Sequence, residues 1–447
     1  MWQVPICRKE LVKKAATAAK QAFKQWRNSP IYTRRQILYN LAELLEQERK
    51  SLVEQLAIEI GKPVIYGDGE VTRGIELLKS VAAFDQKEIT VPQFSQGTYR
   101  HCPIGAVAII TPWNNPLAIP IGKIAPALLY GNTLIWKPAL PGTAIAIKIM
   151  DLLSKAGCPP GVVNFVSGDR LTAQALMSDQ NVDAVTLSGS STAGYFAQDI
   201  CDRRRIPLQA ELGGNNAAII WSDCDLENAA KQVIHGAFGF AGQRCTANRR
   251  VIVDIHCYDE FITQLKQAMT ELVWGDPLSL ETHIGPLISF QKRDQVAAML
   301  TRIKTEVEMI FEAYLDKIKF NKIPKGAYSC PTVICCDRPN HEIVQTETFA
   351  PVLVVQKAES WEQAIQLCNG VTQGLVAALF SHSLLRQEQF LNEIQAGVLK
   401  LNSATTDVAV NIPFGGWKAS GVGCPEHGSS NREFYTRTQA IYDANQK

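Results

Sequence analysis

No run of about 18 or more apolar residues occurs anywhere in the chain, so a simple membrane-spanning helix is excluded. Charge of one sign is also missing: 45 Lys and Arg face 43 Asp and Glu, a balance that points neither to nucleic acid nor to an anionic membrane surface. The start, Met1-Trp2-Gln3-Val4-Pro5-Ile6-Cys7-Arg8-Lys9, lacks the basic-then-apolar order of an export signal. There is no internal repeat and no low-complexity segment. The twelve cysteines form no regular CxxC pair. Cys330, Cys335 and Cys336 cluster without a nearby pair of histidines, which argues against zinc, and no metal is expected. Scattered thiols in a chain this large fit a reducing cytoplasm better than a disulfide framework.

What remains is an ordinary globular composition, 46% hydrophobic over 447 residues, enough for two or three domains around a large core. The first 85 or so residues read as helix, with Ala15, Ala18, Ala19, Phe23 and Trp26 on one apolar face and Leu41, Leu44, Leu45 and Leu52 on another. Between 88 and 102 the character changes, and Thr90, Val91, Phe94, Thr98 and Tyr99 suggest short extended segments. Strand-turn-helix alternation follows. Residues 106–110, 133–136, 162–166 and 184–187 read as buried strands, and 121–130 and 143–155 read as helices. Such alternation predicts an α/β fold with a doubly wound parallel sheet. A second alternating region runs from 216 to about 425, with a helix over 226–240 leading into Cys245. Residues 434–442 alternate like an edge strand.

Three residues carry the chemistry. Cys245 lies in Gly242-Gln243-Arg244-Cys245-Thr246, Glu211 in Glu211-Leu212-Gly213-Gly214-Asn215-Asn216, and Asn114 in Pro112-Trp113-Asn114-Asn115-Pro116. A lone cysteine is usually a small buried hydrophobe. A thiol, a carboxylate and a carboxamide together are the minimum set for covalent acyl chemistry: the thiol attacks a carbonyl, the amide donates to the oxyanion, and the carboxylate moves protons.

These runs, with Trp136-Lys137-Pro138, Gly189-Ser190-Ser191-Thr192-Ala193-Gly194, Glu347-Thr348-Phe349-Ala350-Pro351 and Pro413-Phe414-Gly415-Gly416, resemble the aldehyde dehydrogenase superfamily and stand in that family's order. The resemblance implies a cofactor-binding domain over 1–87 and 103–213, a catalytic domain over 214–425, and a small oligomerisation arm over 88–102 and 426–447. It implies oxidation of a small-molecule aldehyde to the acid with NAD(P)+ and water. Cys245 would be the nucleophile, Glu211 the base and Asn114 the oxyanion donor. Glu211 acts on the deacylating water or also on the thiol. The cofactor residues would be Trp113, Lys137, Gly189, Ser190, Gly194, Glu347 and Phe349. A homodimer or homotetramer is implied, with no nucleic-acid or membrane partner. Acyl transfer to coenzyme A is the alternative reaction, and Glu211 argues against it because acylating relatives often lack that base. A hydrolase or a noncatalytic protein on the same scaffold is the other.

Departures from the family pattern matter as well. Many NAD-using members place a Glu three residues after the lysine equivalent to Lys137; here that residue is Leu140, which leaves NAD and NADP both open. Asn115 stands where an aromatic is common, and Ala350 replaces a usual Gly. Lys123 matches a family lysine near the active site, or is a plain ion-pairing residue. Substrate walls would come from Leu117, Ile119, Gly122, Thr405, Asp407, Val408 and Asn411, with Gly122 in place of a large aromatic predicting a wide tunnel. No Arg is clearly placed for a carboxylate tail. The Glu211–Asn216 string resembles succinylglutamate-semialdehyde dehydrogenases and the tail from Glu426 resembles ketoglutarate-semialdehyde dehydrogenases, so no substrate is named.

Overall fold

A computed structural model of the protein describes residues 4–84, 93–94, 97–312, 320–321 and 326–442. The helical opening is real: helices Lys9–Trp26, Ile31–Gln47, Arg49–Ile60 and Val64–Ala82 follow one another. A six-stranded sheet then forms, in the order Gly421–Val422, Leu208–Glu211, Ala184–Ser188, Ala106–Thr111, Thr133–Pro138, Val163–Phe165. Its strands pair in parallel except for the two-residue Gly421–Val422 edge.

Period-two alternation explains why helices cover both faces. Val107, Ile109, Leu134 and Trp136 point into one core with residues of helices Ile31–Gln47, Val64–Ala82, Ala118–Leu129 and Thr143–Lys155. Ala106, Ala108, Ile110, Ile135 and Val185 point into another, against Val12, Ala16 and Ala19 of the first helix and Leu176 and Ala197 of two later ones. Each large aliphatic buried this way contributes ~1.5–3 kcal/mol.

A seven-stranded sheet makes up the second region, ordered Glu308–Glu312, Thr332–Cys335, Val352–Ala358, Arg250–Asp254, Ala217–Ile220, Val376–Phe380, Val398–Leu401. Only the Glu308–Glu312 edge is antiparallel. A third, antiparallel sheet joins Gln93–Phe94, Gly97–Pro103 and Thr436–Ile441. Of the residues expected to be extended there, Thr90 and Val91 lie outside the described residues. The tail begins its strand later than its alternation suggests, because Phe434 and Tyr435 end a short helix and are buried edge to face, 4.8 Å apart.

The twelve cysteines are free thiols. Among the described residues no three His, Cys, Asp or Glu side chains are grouped to hold a metal, and no helix is long and apolar enough to cross a membrane.

Candidate active site

Four parallel strands end at one cavity of about 750 Å³, and the last or near-last residues of all four line it: Thr111, Lys137, Ser188 and Glu211. Ligands of open α/β sheets bind at such carboxyl ends. Cys245, Asn114, Trp113, Gly189, Ser190, Glu347 and Phe349 line the same cavity. Nine of the ten residues singled out from sequence therefore meet there. Gly194 does not: a Cβ at that position would lie 2.5 Å from Leu212, so this glycine lets the helix Ser191–Arg204 press onto the turn after Glu211.

Cys245 is presented by an unusual turn. The helix Leu226–Phe238 stops short of its expected end, and Phe240, Ala241 and Gly242 all take left-handed conformations, with φ of 54°, 54° and 68°. Gly242 suits this, since it pays no Cβ penalty and packs its Cα against Ala350 O and Ala237 O. Gln243, fully buried, staples the turn: its Nε2 donates to Phe240 O and Pro286 O at 3.3 and 3.1 Å, and its Oε1 accepts from Ile288 N at 2.9 Å. Asn216 Nδ2 donates to Cys245 O at 2.7 Å, which gives the Glu-Leu-Gly-Gly-Asn-Asn run a second job. Burial, then the charges of Glu347 and Glu211, push the half-buried Cys245 thiol up to about 12, with Arg73 opposing.

Asn114 is held by one amide N–H, which donates to Gln243 O at 3.0 Å. Glu211 accepts from Gly416 N at 3.1 Å, and its carboxyl is held well above the ordinary carboxylate range by burial first and by Glu426 second, against the pull of Lys123. Glu426 and Lys123 form a buried ion pair, and Lys123 Nζ also donates to Thr186 Oγ1 at 2.8 Å. Lys123 is thus an ion-pairing residue that also faces Glu211 electrostatically. In the sequence Glu426 stood only at the start of a family-like tail and was given no role in the site.

At the strand-built end, Lys137 is 7% exposed and its Nζ meets only Pro138 O, at 2.9 Å, among the described residues. Burial lowers it to about 8, with Asp169 opposing. Ser190 caps the helix Ser191–Arg204, and a Cβ on the neighbouring Gly189 would find nothing nearer than 3.6 Å. A helix N-terminus, open space and a buried ammonium without an ion-pair partner among the described residues fit a dinucleotide phosphate and ribose. Nearer Cys245, Trp113 and Phe349 stand edge to face at 5.8 Å. Glu347 accepts from Gly214 N at 3.3 Å and fills the space a Cβ on Gly213 would need.

The other end of the cavity holds residues to which the sequence assigned no role: Tyr66, Glu70, Arg73, Arg244, Phe414 and His427. Lys62 and Glu70 form a buried ion pair; Glu70 also accepts from Leu117 N and Ala118 N, capping the helix Ala118–Leu129, and Lys62 donates to Asn115 Oδ1 at 2.7 Å. Asn115, at a position where the resembled family commonly has an aromatic, thus partners this lysine. Arg73 donates to Val408 O at 3.1 Å and Arg244 lies 4.5 Å over the Tyr66 ring; neither pairs with a carboxylate among the described residues. Two guanidiniums are thus placed where the sequence suggested none. Of the expected walls, Ile119, Asp407 and Val408 line the cavity, while Leu117 and Thr405 are fully buried elsewhere. Gly122 does not open a tunnel there: a Cβ on it would meet His427 Cε1 at 2.8 Å, so His427 occupies the room an aromatic would take.

Known proteins fit this geometry. The sequence profile of the aldehyde dehydrogenase family matches residues 1–441. The alpha-ketoglutaric semialdehyde dehydrogenase of Bacillus subtilis is 34% identical over 439 residues, 97% of this chain and 90% of that protein. The malonate-semialdehyde dehydrogenase of Bacillus pumilus is 32% identical over 98% of this chain and 91% of its own length. The crystal structure of methylmalonate-semialdehyde dehydrogenase from Oceanimonas doudoroffii superposes with a TM-score of 0.95 at 27% identity, covering 99% of this chain and 92% of that one. The chain belongs to the aldehyde dehydrogenase family and is an oxidoreductase that acts on aldehydes with NAD or NADP.

Proposed function

We propose that the enzyme oxidises a carboxylate-bearing aldehyde to the diacid with NAD(P)+ and water, through a thiohemiacetal and then a thioester on Cys245. The observation that carries this is the composition of one cavity: a thiol, a proton-avid carboxyl and a carboxamide in the middle, with the guanidiniums of Arg73 and Arg244 unpaired at one end.

The cofactor-free thiol holds its proton, and the charge of Arg73 favours its release. Loss of that proton to solvent yields the thiolate, which attacks the aldehyde carbon, and Glu211 is left unprotonated for the later step on water. The new oxyanion accepts from the Cys245 N–H and from the second amide N–H of Asn114, since Gln243 O occupies the first. The nicotinamide, when bound, accepts the hydride. Lys137, Gly189, Ser190 and Trp113 hold the adenosine and phosphate side, and Glu347 and Phe349 the nicotinamide side. Glu211 then takes a proton from water as the hydroxide adds to the thioester carbon, and the C–S bond breaks to return the Cys245 thiolate. As pH falls through its raised value, Glu211 becomes protonated and this step stops.

Lys62 is paired with Glu70, and Arg73 and Arg244 make no ion pair among the described residues, although Asp407 faces Arg244 from the cavity wall. The semialdehyde names of relatives agree with a carboxylate tail. The exposed edge strand Thr436–Ile441 supports a homodimer or homotetramer.

Three aldehydes of equal length, with an anionic, a neutral and a cationic tail, test the reading. Charge-assisted hydrogen bonds of ~1.5–3 kcal/mol predict a kcat/KM preference of roughly 10- to 100-fold for the anion, lost in Arg73→Met and Arg244→Met. Equal turnover of the neutral aldehyde overturns the substrate class and leaves aldehyde oxidation standing. Product that forms only when coenzyme A is added overturns the hydrolytic step.

A further inference from the structure

Two strained backbone segments flank the reacting centre. One is the left-handed run Phe240-Ala241-Gly242 before Cys245. The other is Phe349, also left-handed at φ 45°, beside Trp113. Both end on the same side chain. Arg249 Nη2 donates to Gly242 O and, at 3.0 Å, to Arg244 O, while Nη1 donates to Ala350 O at 3.1 Å. Its guanidinium also lies over the Phe349 ring, 5.5 Å from the centroid.

Arg249 is 2% exposed, and among the described residues it makes no ion pair. A buried cation solvated by carbonyls alone is an expensive way to fill space. Simple packing at the base of the strand Arg250–Asp254 is served better by an apolar side chain. Its charge faces Glu347 and Cys245, both of which favour its protonated form, while burial lowers it to about 10.

We propose that Arg249 is a positioning residue: it clamps the nucleophile turn to the Phe349 loop, setting Cys245 against the nicotinamide end of the cavity. The inference rests on Cys245 being the nucleophile.

The test uses the full-length enzyme. Iodoacetamide labelling of the Cys245 peptide is followed by mass at fixed pH, alongside KM for NAD(P)+, in Arg249→Met and Arg249→Lys. With the clamp removed, Arg249→Met displaces the Cys245 turn, so the labelling rate of Cys245 changes about tenfold and KM for the cofactor rises about tenfold. Arg249→Lys cannot span three carbonyls, so KM for the cofactor rises there as well. Arg249→Met with a lower melting temperature but wild-type labelling and KM overturns the proposal, as that is a merely structural role. If Arg249→Met does not fold, wild-type KM in Arg249→Lys overturns the clamp. Labelling of Cys245 that leaves wild-type activity intact instead overturns the nucleophile assignment itself, which separates the two failures.

Discussion

The two ends of the cavity are built by different means. Thr111, Lys137, Ser188 and Glu211 stand on adjacent parallel strands, in fixed register and with a buried sheet beneath them. Tyr66 and Arg73 stand on one helix, Arg244 on the nucleophile turn, Asp407 and Val408 on a loop, and His427 near the tail. The first end is backbone geometry that any sequence with this alternation reproduces. The second is an encounter of side chains from distant segments, each free to change without disturbing the sheet. In the proposed reaction the strand-built end, taken to hold the dinucleotide, is shared scaffold, and the end taken to hold the aldehyde carries what distinguishes this enzyme. Cys245 lies where they meet.

Substitutions at the meeting point and at each end sharpen that contrast. Cys245→Ala has the largest effect: dehydrogenase activity drops by roughly 10⁴-fold or more, while the strand-built end still binds NAD(P)+ as judged by fluorescence quenching. Loss of cofactor binding in that variant breaks the separation between the ends. The arginine substitutions described above act only at the aldehyde end. Leu140→Glu has the smallest effect and acts only at the other end. Leu140 is 41% exposed just after Lys137, and a carboxylate there chelates ribose hydroxyls and repels a 2′-phosphate. The wild type accepts NADP+ within about tenfold of NAD+ or better in kcat/KM, and the variant shifts about tenfold, ~1.4 kcal/mol, towards NAD+. A thousandfold wild-type preference for NAD+ means another group reads the ribose.

The same contrast decides what was legible in the sequence. Trp113, Asn114, Lys137, Gly189 and Ser190 stand at or just after strands that announce themselves by apolar runs and by the turns that end them, so their convergence follows from parallel pairing, whereas Glu211 ends the strand Leu208–Glu211, which no apolar run marks. Gly194 belonged to the same glycine run, yet only the contact with Leu212 separates a packing glycine from a phosphate-binding one. Arg244 was in plain view beside Cys245, but the direction of its side chain depends on three left-handed residues that no periodicity signals. Arg73 lies one helical turn beyond Glu70, and its value comes from how the helix Val64–Ala82 packs against Ala118–Leu129. His427 and Glu426 reach the cavity from a tail whose family-like string and edge-strand pattern assigned them no place in the site. The missing aromatic at Gly122 looked like open space until the segment that fills it could be placed.

The most direct test of the account separates the two halves of the reaction at Cys245. Glu211→Gln is mixed with aldehyde and NAD(P)+, without coenzyme A, and reduced cofactor is followed from the first turnover. The account predicts a burst of about one equivalent of NAD(P)H per chain, then a steady state slower than wild type by roughly 10²–10⁴-fold, with acyl mass on the Cys245 peptide. A steady state equal to wild type, or loss of the burst together with the steady state, contradicts it: the first removes Glu211 from the chemistry, and the second makes it the base for the thiol and not for water.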